Sequence, residues 1–223
     1  DKQAILQFKG IEEDVRQQIM AKLNELSPAQ EVSFQYIGPS VGRELRNKTQ
    51  LAIALALLAI TLYIAFAFRK VSKPLSSWKY GVASLLALSH DVLIPIGMFS
   101  IFGALYNIEI TIPIIAALLT VLGFSVHDTI VIFDRIRQNI FRKGMGDFEE
   151  TVNGSLNQTL GRSLTTTITT LIVLFAIFFF GGETLKYFSL ALIVGITAGA
   201  YSSIFLAGPL LVTWYKRGLT RGH

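Results

Sequence analysis

Cysteine is absent, so a disulfide framework is excluded and the redox compartment cannot be read. Charge is scarce: Asp, Glu, Lys and Arg make up only 16% of the 223 residues. Mean hydropathy is +0.52, and 52% of residues are hydrophobic, which is too apolar for an ordinary soluble domain. No Gly-rich phosphate loop is present, which argues against ATP as the energy source. No Gly-x-Ser-x-Gly elbow is present, which argues against a serine hydrolase. His90 has no partner at metal-ligand spacing, so no metal site is expected.

What the chain does have is long apolar blocks. A membrane-spanning helix needs about 20 mostly apolar residues, and buried core helices need about ten to fourteen. Five blocks approach or exceed the longer figure: residues 51–68, 80–105, 110–133, 163–180 and 185–215. The few charges are placed accordingly. Arg69, Lys70, Lys73 and Lys79 lie between the first and second blocks. Arg135, Arg137, Arg142, Lys143 and Arg162 lie between the third and fourth. Lys216, Arg217 and Arg221 follow the fifth, whereas the other two connections carry only Lys186. Basic residues on alternate connections mark the inner side of a membrane. The segment before Leu51 is therefore expected outside and the tail, 218–223, inside. The net charge of +5 is absorbed by this pattern, and no basic patch is left to require nucleic acid.

Residues 1–48 are different material, with seven acidic and seven basic side chains. Residues 4–8 and the alternation of Val32, Phe34 and Tyr36 predict strands. Between them, Ile11, Val15, Ile19, Leu23 and Leu26 follow helical spacing. This predicts part of a small α+β domain, too short to bury a good core alone. The chain begins at Asp1 without a signal peptide, so an outer N-terminal segment predicts a membrane helix upstream. Within the inner loop, residues 147–160 predict a short helix with Phe148, Val152, Leu156 and Leu160 on one face, suited to the inner membrane surface. In the last block Gly195, Gly199, Ser203 and Ala207 recur every four residues, a spacing that lets helices approach closely in a bilayer.

Two carboxylates fall inside the apolar blocks. Asp91 is twelve residues past Lys79, about 18 Å along a helix and so near mid-membrane. Asp128 is six residues before Asp134, about 9 Å from the inner end. A charged aspartate at a helix centre costs about 2.5–3.5 kcal/mol on insertion scales, and such residues default to function. Asp128 shares a helical face with Val121, Ser125, Ile132 and Arg135. Arg162, at the head of the fourth block, is expected at a comparable depth as its cation. Protonation of the carboxylate would then make and break the pair. Asp91 is the second proton-coupling candidate. Ser125, His127 and Thr129 are the supporting polar residues, with His127 turned to another face than Asp128. An intramembrane aspartyl protease is excluded, because Ser125, Val126 and His127 precede Asp128 where that chemistry has Gly-x-Gly.

The run GFSVHDTIVIFDRIR, residues 123–137, resembles the signature of the SecF family of bacterial export membrane proteins. IGPSVGREL at 37–45, SHDV at 89–92, SLNQTLGRSLT at 155–165, Gly181-Gly182 and Tyr201-Ser202-Ser203 agree with it in order. The resemblance implies an all-α polytopic bundle like half of a resistance-nodulation-division (RND) transporter, with a small extracytoplasmic domain. The domains would be 1–48, extracytoplasmic, and 49–217, membrane-spanning. It implies a bacterial plasma-membrane protein that is not an enzyme. Its partners would be SecD, the SecYEG translocon and translocating preproteins, with protons as coupling ion and no other cofactor. The family's essential aspartate falls on Asp128 and its essential arginine on Arg162. The family's first helix and its Gly-x-Asp-Phe-x-Gly-Gly stretch have no counterpart here, so the resemblance places Asp1 inside the extracytoplasmic domain. His127 stands for the usual Asn, Phe124 for Tyr, and Gly161 for a common Ser. A passive scaffold for translocon subunits and an RND-type small-molecule exporter are the alternatives.

Overall fold

The computed structural model describes residues 13–26, 28, 39–69, 75–143 and 147–220. Among them there is no strand. The chain divides into two compact units, Asp1–Leu51 and Ala52–His223. In the first, helix α1 spans Glu13–Leu26. Ile19 and Leu23 are half-buried, but Val15 and Leu26 stay exposed, so the anticipated apolar stripe is covered only in its middle. The predicted strands at 4–8 and 32–36 lie outside the described residues.

Helix α2 (Pro39–Ala67) carries the first apolar run. The second unit then continues with α3 (Ser77–Tyr106), α4 (Ile112–Lys143), α5 (Phe148–Phe180) and α6 (Glu183–Ser202). A π-helical turn, Ser203–Ala207, leads directly into α7 (Gly208–Thr220). Five stretches are long and apolar enough to cross a membrane: Asn47–Ala67, Ser77–Tyr106, Ile112–Arg142, Phe148–Phe180 and Leu185–Gly218. They match the five blocks in number and order.

The connections are short because the chain ends each helix locally. Asn107 adopts a left-handed conformation, φ 55°, and its N–H closes α3 on the Gly103 carbonyl at 3.1 Å. Gly181 N–H closes α5 on the Ile177 carbonyl at 2.7 Å, and Gly182 turns at φ 77°. Connections this short make α3 and α4, and α5 and α6, antiparallel neighbours. Helices α4 and α6 run parallel, since Val121, Ser125 and Thr129 meet Gly195, Gly199 and Ser203 in the same order.

Their contact is set by small residues. A Cβ on Gly195 would lie 2.3 Å from Val121 Cγ2, and one on Gly199 would lie 3.0 Å from Ser125 Cβ. Ser203 meets Thr129 hydroxyl to hydroxyl at 3.1 Å, 74 positions apart in sequence. Val121 and Gly195, like Ser125 and Gly199, share that separation, so one register governs three successive contacts. The predicted small-residue ridge is thus the seam between α4 and α6. Sixty-one per cent of the apolar window of the last span is inside the bundle, against 6% for the first, so α6 is central and α2 peripheral.

Two expectations are corrected. Residues 147–160 are not a separate surface helix but the first half of α5, which runs unbroken to Phe180. Gly161 is tolerated within it, and hydroxyls there bond the preceding turn, as Thr165 does to the Gly161 carbonyl at 2.8 Å. Phe148 and Val152 are buried, and Phe148 packs on Tyr215 of α7 with ring centroids 4.8 Å apart. Asp147 caps this helix by accepting the Glu149 N–H at 2.9 Å. Helix α4 also outruns the block ending at 133, because Ile136 and Ile140 continue its buried face.

Candidate functional site

The polar groups inside the bundle form two adjacent layers. In the first, Asp91 of α3 is fully buried. Its Oδ2 accepts from Ser125 Oγ of α4 and from Ser202 Oγ of α6, the latter at 2.8 Å. Its Oδ1 lies 2.9 Å from His90 Nδ1. Pro95, inside α3, lacks the N–H that would otherwise bond the Asp91 backbone carbonyl. Three helices therefore converge on one carboxylate.

The second layer lies one turn along α4. Asp128 is 7% exposed, and its Oδ2 accepts from Ser163 Oγ of α5 at 2.5 Å. No other hydrogen bond or ion pair to Asp128 occurs among the described residues. A carboxylate offers about four lone-pair directions, so Asp128 keeps capacity for a proton or cation that Asp91 has largely used. Thr129, beside it, is fully buried against Ser203.

The expected Asp128–Arg162 pair is not formed. Successive helix residues point about 100° apart. Ser163 is 5% exposed and faces α4, which turns Arg162 outward, where it is exposed. Arg162 lines an open cleft of about 330 Å³ with Ile130, Val131, Asp134, Arg135, Gln138, Gln158 and Thr159. His127 is exposed, on a different face from Asp128.

Towards the C-terminal end of α4 a polar lattice joins it to α5. Gln158 Oε1 accepts from Arg135 Nε at 2.6 Å and from Asn139 Nδ2 at 3.0 Å. Asn139 Nδ2 also donates to Ser155 Oγ at 2.8 Å. Asp134 pairs with Arg137 at 2.8 Å and accepts from Gln138 at 2.7 Å. Sequence reasoning missed Ser163, Ser202 and the His90 contact as members of the site. The run from Ser163 to Thr170, with hydroxyls at six of eight positions, was the available signal on α5. Among the described residues no cluster of three or more metal-ligating side chains occurs.

Five apolar spans with buried carboxylates held by hydroxyls from neighbouring helices define the class: a polytopic membrane protein. Residues 17–217 match the family described as protein export membrane protein SecD/SecF, C-terminal. A protein translocase subunit SecF from Thermobaculum terrenum is 53% identical over 192 residues, which cover 86% of this chain and 60% of that relative. One from Anaerolinea thermophila is 41% identical over 221 residues, covering 93% and 70%. The crystal structure of SecDF, a translocon-associated membrane protein from Thermus thermophilus, superposes with a TM-score of 0.81 at 40% identity, over 92% of this chain and 27% of that one. The chain belongs to the SecF side of the SecD/SecF family of protein export membrane proteins. It is an integral membrane protein. It spans 60% of the length of its Thermobaculum relative.

Proposed function

We propose that this chain serves as the SecF-type part of a proton-driven export complex in the bacterial plasma membrane. It would act with a SecD partner beside the SecYEG translocon on preproteins crossing the membrane. Residues 1–48 would lie outside and the C-terminus in the cytoplasm. The observation that carries the reading is Asp128, buried at mid-span with a single hydroxyl partner. An aspartate so placed is stabilised either by taking a proton or by meeting a cation. Arg162 precedes Ser163 by one residue on the same helix, so a shift of α5 against α4 would exchange a hydroxyl for a guanidinium beside Asp128. In this scheme the protonated carboxyl accepts the hydroxyl, and the ionised carboxylate draws in Arg162. Protonation thereby becomes movement of α5. Moving one charge through 100 mV is worth about 2.3 kcal/mol, enough to bias such a shift. Asp91 stands as the second carboxylate on the proton path.

The test is Asp128→Asn in the full-length protein with its partner. Proton-dependent export should fall to background while insertion and abundance stay normal. Export at the wild-type level would leave only a passive scaffold, which an isosteric neutral residue does not disturb.

A further inference from the structure

We infer that His90 is the proton relay that serves Asp91. The inference rests on the proton-driven reading above, and it begins from the carboxylate's surroundings. Both hydroxyls, from Ser125 and Ser202, are directed to Oδ2. Oδ1 is left to His90 Nδ1 at 2.9 Å. The Asp91 side chain has no exposed surface, whereas 29% of the His90 side chain is exposed. The imidazole is thus the group that touches both the buried carboxylate and the surface of the bundle. It is also the one neighbour able to take a proton on one nitrogen and pass another from the other.

The bookkeeping of the step is simple. A proton arrives at Nε2, the Nδ1 proton moves to Oδ1, and the imidazole returns to neutral with its tautomer exchanged. The ring is held for this: it stacks on Tyr201 at 6.2 Å and 28°, and Tyr201 stacks on Phe205 at 5.1 Å and 30°. His90 and Asp91 are also consecutive on α3, so their contact survives any sliding between helices. The serine donors come from α4 and α6 and do not share that protection. The groups facing the pair are few. On α4 it meets Ser125, with the titratable Asp128 one turn further on. On α6 it meets the titratable Tyr201 and Ser202. Beside it on α3, Leu88 and Val92 belong to an apolar cluster with Leu122 of α4 and with Ile53, Ala56, Leu57 and Ile60 of α2.

The experiment follows the infrared carboxyl band of Asp91 after a pH jump, in the full-length protein with its SecD-type partner in liposomes. The band is assigned by its loss in Asp91→Asn. In the wild type it should respond to the jump. In His90→Asn, whose amide still donates to Oδ1, the response should be strongly slowed with thermal stability retained. In His90→Ala, added imidazole should restore it. A band that does not titrate in the wild type, an equally fast response in His90→Asn, or slowing that imidazole does not relieve each overturns the relay. Export by Asp128→Asn is read separately, so failure of the proton-driven reading is distinguishable from failure of the relay.

Discussion

Asp91 and Asp128 are both aspartates buried in the same bundle, yet their surroundings differ. Asp91 is enclosed by three helices and meets two hydroxyls and an imidazole. Asp128 sits at the α4–α5 seam with one hydroxyl. The first carboxylate is a knot that ties α3, α4 and α6 together. The second is held lightly, by a serine whose preceding residue is an arginine. What separates the two carboxylates is the number of donors already committed to each, more than its depth.

The largest test of this contrast is functional. Asp128→Asn should abolish export with little loss of stability, whereas Asp91→Asn should reduce stability by about 1–3 kcal/mol, the range for leaving buried donors unmatched. Thermal unfolding of both variants in detergent checks this, and the opposite ranking breaks the comparison. Next is the seam that holds the two layers in register. Gly195→Ala drives a methyl into Val121 and should cost about 1–3 kcal/mol, much of it recovered by adding Val121→Ala. If the two changes are simply additive, the seam is not set by that contact. The smallest effects should come from the hydroxyls. Ser202→Ala and Ser163→Ala should each cost about 0.6 kcal/mol, the mean for hydrogen bonds between membrane helices. Of the two, Ser163→Ala should shift the pH profile of export the more, because Ser163 touches Asp128 and is its one hydroxyl partner among the described residues.

The five spans were legible because a bilayer demands long apolar runs, and no other physics produces five in one chain of this size. Asp128 was legible because a carboxylate within such a run is costly. Its hydroxyl partner was not. Serines and threonines in membrane helices usually bond their own preceding turn, as Thr165, Thr166, Thr169 and Thr170 do here. Nothing local marks Ser163 as the one that reaches across. The outward turn of Arg162 follows from that choice, and so was hidden with it. The continuity of α5 was misread because two amphipathic patterns of different polarity share one helix. Its first half is polar on the side away from Phe148 and Val152, whereas its last turns, from Leu171 to Phe180, are apolar all round.

The π turn at Ser203–Ala207 has a geometric effect on the small-residue seam. Residues four apart on an α-helix overshoot a full rotation by about 40°, so a strict four-residue row spirals away from its neighbour within a few steps. A π turn advances less per residue and rotates the row back. Gly195 and Gly199 precede the widening, Ser203 opens it, and Ala207, still fully buried, closes it. Pro209 follows at once, and its missing N–H loosens the preceding turn. The widened turn acts as a phase corrector, keeping an arithmetically simple row of small residues aimed inward beyond the point where an unbroken helix would lose it.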